Sequence, residues 1–118
     1  KLNVSAGELA VMKGLELLGI EYEREVSPIA EHRKLRYDFR IVLKGAIIYI
    51  EYDGAQHYRP VNWCGDLEKA TEKFIKCQQH DKIKNDYCKS KKEKLIRIPY
   101  WDFEIIPQIL ENLLGNAT

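Results

Sequence analysis

Long apolar runs are missing from this 118-residue chain. No stretch approaches the ~20 residues that a membrane span needs, so no membrane partner is expected. A basic segment followed by an apolar one is missing from the start as well, and the first residue is Lys1. The chain therefore reads as a fragment or processed piece, and further domains of a larger parent protein are expected beside it. Cysteine is scarce: Cys64, Cys77 and Cys88 are odd in number and form no CxxC pair, which points to reduced thiols in an intracellular compartment, cytoplasm or nucleus. A zinc site built from them with His57 or His80 would lack the spacing of a zinc motif. Excess charge is missing too, since the net value is +1, and no global field announces a polyanionic partner.

What is present is the composition of a globular domain, 45% hydrophobic and 31% charged, at a length that holds one core. Ser5-Ala6-Gly7-Glu8 has the form of a capping box, and Leu9, Met12, Leu15 and Leu18 follow at helical spacing before Gly19 stops the helix. Residues 20–26 mix β-branched and aromatic residues with charges and predict an edge strand. Residues 35–42 and 46–52 predict two more strands joined at a Lys44-Gly45 turn. A long helix is expected over about residues 67–90, a strand over 94–100 and a closing helix over 103–114. The order is αβββαβα, an α/β fold with a central mixed sheet flanked by helices. No repeat, low-complexity tract or long linker interrupts it.

The hairpin carries the chemistry. With Lys44 and Gly45 at its tip, Leu43 faces Ala46, and counting outward sets Asp38 opposite Glu51. Period-two alternation adds Asp53 to the face of Glu51 and assigns Tyr37, Phe39, Ile41, Ile48, Ile50 and Tyr52 to the other. Facing like charges destabilise a sheet, so a divalent cation held by Asp38, Glu51 and Asp53 is the simplest reason for them, Mg²⁺ or Mn²⁺ given the hard oxygen ligands. The alternative is a slipped register or a neighbouring lysine that neutralises the acids. Gly54 is expected to turn the chain so that His57 returns beside the metal as acid, base, ligand or phosphate donor.

On the long helix, Phe74, Cys77, Gln78, Asp81, Lys84, Asn85 and Cys88 share one stripe. If Phe74, Cys77 and Cys88 pack on the sheet, the polar members point inwards and serve a site, unless Asp81 and Lys84 form a plain surface ion pair. Lys89, Lys91 and Lys92 belong to a basic stretch that could track a phosphate backbone, or merely complement a helix dipole. Glu8 is already accounted for by the capping box.

At Ser5 to Glu8, Tyr37-Asp38-Phe39, residues 50–58, residues 81–88 and residues 95–100, the chain resembles the restriction-endonuclease-like PD-(D/E)xK nuclease superfamily. The likeness is to its very-short-patch-repair endonuclease-like branch, related to homing endonucleases, and it spans nearly the whole chain. The resemblance implies metal-dependent hydrolysis of DNA phosphodiester bonds, with Asp38 and Glu51 as ligands, Glu8 as an auxiliary acid and His57 handling protons or phosphate. Gln56, Gln78, Asn85, Lys89, Lys91 and Lys92 are then the expected nucleic-acid contacts. One departure stands out: Asp53 occupies the place of the pattern's lysine, and Lys84 is the candidate to supply that charge from the facing helix. A non-catalytic nucleic-acid-binding module with a degenerate nuclease fold, or an RNA endonuclease, remain the alternatives.

Overall fold

The computed structural model describes residues 4–61 and 65–115. Its elements are α1 (Ala6–Leu17), β1 (Glu23–Val26), β2 (Tyr37–Leu43), β3 (Ala46–Asp53), α2 (Leu67–Lys91), β4 (Lys94–Pro99) and α3 (Ile106–Leu114), with 3₁₀ turns at Ala55–His57 and Tyr100–Ile105. The order αβββαβα is as read from the sequence. The capping box is complete: Glu8 N–H donates to Ser5 Oγ and Ser5 N–H to Glu8 Oε1. Residues 20–22 stay outside β1. The closing helix starts at Ile106, where Pro107 fills a first-turn position that needs no N–H donor.

The sheet runs β1-β2-β3-β4, with antiparallel pairs β1·β2 and β2·β3 and a parallel pair β3·β4 bridged by α2. Lys44 and Gly45 both have positive φ, 49° and 81°, the mirror-image turn that suits a two-residue hairpin. That turn produces the expected register, Leu43 with Ala46 through Phe39 with Ile50.

Two apolar clusters hold the layers together. On one face Phe39, Ile41, Ile48, Ile50, Ile96 and Ile98 pack with Val11 and Leu15 of α1 and Ile106, Leu110 and Leu114 of α3. On the other, Tyr37 and Tyr49 pack with Cys88 and the flanks of Ile83 and Tyr87 of α2. Tyr37 thus lies opposite to the face that simple alternation assigned to it. Pairing of β2 with β3 ends at Phe39, and Glu25, the β1 residue across from Asp38, has φ of 49°. At this break the Tyr37 phenol turns to α2 and donates to the Lys84 carbonyl at 2.8 Å, a partner the all-apolar face would not offer.

Although α2 has 25 residues, no helix among the described residues is long and apolar enough to cross a membrane. Only Ala70 and Cys88 of α2 are buried. The helix therefore rests on the sheet through a half-polar stripe, and the site lies in that seam.

Candidate active site

Where the β2–β3 ladder ends, two carboxylates replace the backbone pairing. Asp38 N–H donates to Glu51 Oε2 at 2.9 Å, and Tyr52 N–H donates to Asp38 Oδ2 at 2.8 Å. Glu51 is only 3% exposed and Asp38 is half-buried beside it. Burial, and then the charge of Glu51, push the Asp38 carboxyl up to about 8; the Tyr52 N–H opposes this and Glu8 adds to it. Lys84 of α2 sets Nζ 2.5 Å from Glu51 Oε1 with both side chains largely enclosed, so a cation from the helix faces the acid pair.

Glu8 reaches the same place because α1 lies against β3. A Cβ at Gly7 would sit 2.2 Å from the Tyr52 ring, so only glycine lets the helix approach this closely. Glu8, Asp38, Glu51, Gln56, His57 and Lys84 line one open cavity of roughly 330 Å³. A larger concavity lies elsewhere, between Glu16, Tyr22 and Arg40, and contains none of these acids.

Asp53 departs from the expected trio. It is 2% exposed, but Arg97 of β4 takes both of its oxygens at 3.0 Å, and it does not line the cavity. The parallel register explains this, because Glu51 lies beside Arg97 and the guanidinium reaches along the strand to the next acid on that face. Gly54 also differs from expectation. Its φ is −72°, so no left-handed turn is needed; its missing Cβ instead makes room for Gln56 Oε1, which would lie 2.6 Å away. The following 3₁₀ turn is what carries His57 back.

His57 Nδ1 lies 2.8 Å from Asp81 Oδ2 and 3.7 Å from Asp53 Oδ1, leaving Nε2 as the ring nitrogen free to serve the cavity. Burial lowers the His57 pKa, but the Asp81 hydrogen bond and the charges of Asp53 and Asp81 outweigh it, and the net shift is upward. For Asp81, burial raises the pKa, and the contacts with His57 and Arg97 reverse this to a net lowering. The surface pair of Asp81 with Lys84 does not form; Lys84 turns to Glu51, and Asp81 to His57 and Arg97.

The expected inward stripe of α2 is narrower than drawn. Phe74, Cys77, Asp81, Lys84 and Cys88 are at least half-buried, whereas Gln78 and Asn85, one residue and about 100° further round, are exposed. Asn85 Oδ1 accepts from Arg97 Nε at 3.0 Å. Lys91 lies over the Tyr87 ring and Lys92 caps the helix in a left-handed conformation. Lys89 is exposed beside Asn85 and Cys88, away from the carboxylate cavity.

The sequence places Asp81 among the inward polar residues that serve a site but names neither His57 nor Arg97 as its partner, and it assigns Arg97 no site role. Asp81 was visible as a polar residue on an apolar stripe, whereas Arg97 between Ile96 and Ile98 needed the β3–β4 register to be found.

Among the described residues, two donor sets could hold a metal. Asp38 and Glu51 each commit one oxygen to a backbone N–H, which leaves Asp38 Oδ1 and the lysine-paired Glu51 Oε1 as hard donors on a solvent-open cavity, a fit for Mg²⁺ or Mn²⁺ with waters and phosphate. Separately, His57 Nδ1, Cys77 Sγ and an Asp81 oxygen lie within 4.8 Å of one another, a softer set of the kind zinc takes. Burial and the Asp81 charge push the Cys77 thiol up to about 11, so without a metal it is neutral. Cys77 and Cys88 are both free; Cys64 lies outside the described residues.

No family model, curated protein or solved structure matches this chain. Function must therefore be argued from the site itself.

Proposed function

We propose that this chain is a metal-dependent endonuclease that hydrolyses DNA phosphodiester bonds and is built on a restriction-endonuclease-like core. The observation that carries the reading is the reciprocal hold between Asp38 and Glu51. Two enclosed carboxylates are kept side by side by backbone N–H groups, at the wall of an open cavity, with Lys84 on one of them. Lys84 offsets the charge of Glu51, and the pair costs stability only where Asp38 ionises as well, a cost that a bound cation would remove.

Asp38 and Glu51 would hold Mg²⁺ or Mn²⁺, which supplies an acidified water and draws charge from the phosphate. The chain's own groups do the rest. The N–H groups of Asp38 and Tyr52 fix one oxygen of each acid and so aim the other. Glu8 adds a carboxylate to the cavity wall, partly offset by Arg24 at 3.6 Å. Lys84 Nζ, once released from Glu51, is positioned to contact the scissile phosphate or its leaving oxygen. Asp81 holds His57 Nδ1, so that Nε2 takes or returns a proton. Asp53 acts through Arg97, in keeping the α2–β4 seam closed.

The test is incubation of the protein with labelled single-stranded, duplex and branched DNA and with RNA, in Mg²⁺, Mn²⁺ or EDTA, alongside Asp38→Ala and Glu51→Ala. Metal-dependent cleavage lost in both variants supports the reading, and the preferred lane names the substrate; RNA alone being cut makes it an RNA endonuclease. A second reading, a nucleic-acid-binding module without activity, is favoured by the internal counter-charges: Lys84 already neutralises Glu51 and Arg97 already neutralises Asp53. Retained DNA binding with no carboxylate-dependent Mg²⁺ or Mn²⁺ affinity would decide for it.

A further inference from the structure

A second concavity, of roughly 590 Å³, adjoins the carboxylate cavity, and Lys84 lines both. One wall is the connection between β1 and β2, with Arg33, Lys34 and Arg36; the other is the middle of α2, with Lys76 and His80. We propose that this groove is where the phosphodiester backbone of the DNA strand lies as it enters the carboxylate cavity. The proposal rests on the nuclease reading and adds to it the surface that holds the substrate.

Three observations carry it. The first is unspent charge. Arg24, Arg40 and Arg97 are each committed to a carboxylate, whereas the side chains of Arg33, Lys34, Arg36 and Lys76 have none within ion-pair distance among the described residues. Among the described residues, Glu31 is the one acid on the groove wall. Arg33, Lys34, Arg36 and Lys76 line one concavity without counter-charges of their own, and a polyanion would relieve their mutual repulsion.

The second observation is that the cations stand on a fixed wall. Ile29 and Leu35 are buried at 4% and 8% exposure and anchor the connection from below. Ser27 Oγ is within hydrogen-bond distance of the carbonyls of Arg33 and Leu35, at 2.5 and 3.0 Å, and His32 N–H and Leu35 N–H close successive turns. Less ordering entropy is then lost when phosphates bind. The third is continuity. Lys84 Nζ lies 2.5 Å from Glu51, so a backbone following the groove is delivered to the two acids without crossing a ridge of like charge.

The lysines at the end of α2 compare poorly. Lys91 lies over Tyr87, Lys92 caps the helix, and the hollow beside Lys89 includes Glu93 and is separated from Glu51 by the paired Arg97 and Asn85. Phosphate contacts in the groove would position the strand and carry no sequence information.

The experiment measures binding of labelled single-stranded and duplex DNA by fluorescence anisotropy in EDTA across a salt series. It compares the wild-type chain, Arg33→Glu with Arg36→Glu, Lys76→Glu alone, and Lys89→Glu with Lys91→Glu and Lys92→Glu. All these side chains are exposed, and unchanged thermal melts show that each variant folds. The groove variants are expected to lose about tenfold or more in affinity, and the salt slope to fall by roughly 0.7–0.9 for each phosphate contact removed. The helix-end variant is expected to lose less. Groove variants that bind like the wild type, a larger loss in the helix-end variant, or no salt-dependent binding by the wild type would each overturn the proposal. So would tighter groove-dependent binding to phosphatidylserine vesicles or polyglutamate than to DNA. Cleavage run in parallel separates the two claims: groove-dependent binding without cleavage removes the nuclease, and cleavage untouched by the groove variants removes the groove.

Discussion

Asp38 and Glu51 exchange their strands' hydrogen bonds through side chains: the amide of Asp38 donates to Glu51, and the amide after Glu51 donates to Asp38. Two acids that would repel are therefore held at the point where β2 and β3 stop pairing, and each spends one oxygen on the backbone. The consequences can be measured.

The first concerns pH. Asp38 has its folded pKa raised from 3.8 to about 8 by burial and by Glu51. Between those values the folded chain keeps a proton that the unfolded chain has lost, so stability from this group is full below about 4 and is lost as pH rises to about 8. The melting temperature of metal-free protein is expected to fall between pH 5 and pH 8, and Asp38→Asn to flatten that fall. Mg²⁺ or Mn²⁺ should restore stability most at the alkaline end, where the carboxylate is free to bind. A melting curve that rises over this range in the wild type and is unchanged in Asp38→Asn would contradict the assignment.

Lys84 is both a counter-ion and a candidate catalytic group. Lys84→Ala leaves Glu51, 3% exposed, without its cation. A loss of about 3–5 kcal/mol in urea unfolding is expected, the cost of a broken buried pair, and divalent metal should recover part of it. Cleavage should fall as well; undiminished cleavage in a folded Lys84→Ala protein removes Lys84 from the mechanism.

His57 depends on Asp81 for its orientation and much of its basicity. In Asp81→Asn, the His57 pKa read from its imidazole NMR shifts should move down, since the hydrogen bond and charge that raise it are weakened. The acid limb of any pH–rate profile should move with it. His57→Ala should cost about 10²-fold or more in rate, the usual contribution of a general acid or base. A His57 titration unmoved by Asp81→Asn would break the link.

Gly7 controls how closely α1 approaches the site. Gly7→Ala places a methyl 2.2 Å from the Tyr52 ring, inside any allowed contact. A destabilisation of about 1–3 kcal/mol is expected from this overpacking. The Tyr52→Leu exchange should relieve part of it in the double variant, as non-additivity between touching residues requires. Simple additivity would mean the two residues do not meet as described.

Local signals made much of this legible. The Ser5–Glu8 box, the Lys44-Gly45 turn and the period-two hairpin are interactions within a few residues of chain, and the structure reproduces all three. They were enough to bring Asp38 opposite Glu51, because a two-residue turn leaves the register no freedom. Unbroken alternation fails at Tyr37, which changes face at the ladder's end, and the buried stripe of α2 is narrower than its helical spacing suggests, leaving Gln78 and Asn85 outside it.

By itself, then, the sequence determined the element order, the hairpin register and the pairing of two acids, since each follows from contacts between near neighbours in the chain. Only the tertiary structure decided which charge meets which acid. Lys84 reaches Glu51 and Arg97 reaches Asp53 across 33 and 44 residues of chain, and those meetings depend on how α2 and β4 come to rest on β3. The same packing sets the unpaired Arg33, Lys34, Arg36 and Lys76 around one groove. No spacing in the sequence encodes that, because the two walls join only after the sheet has formed.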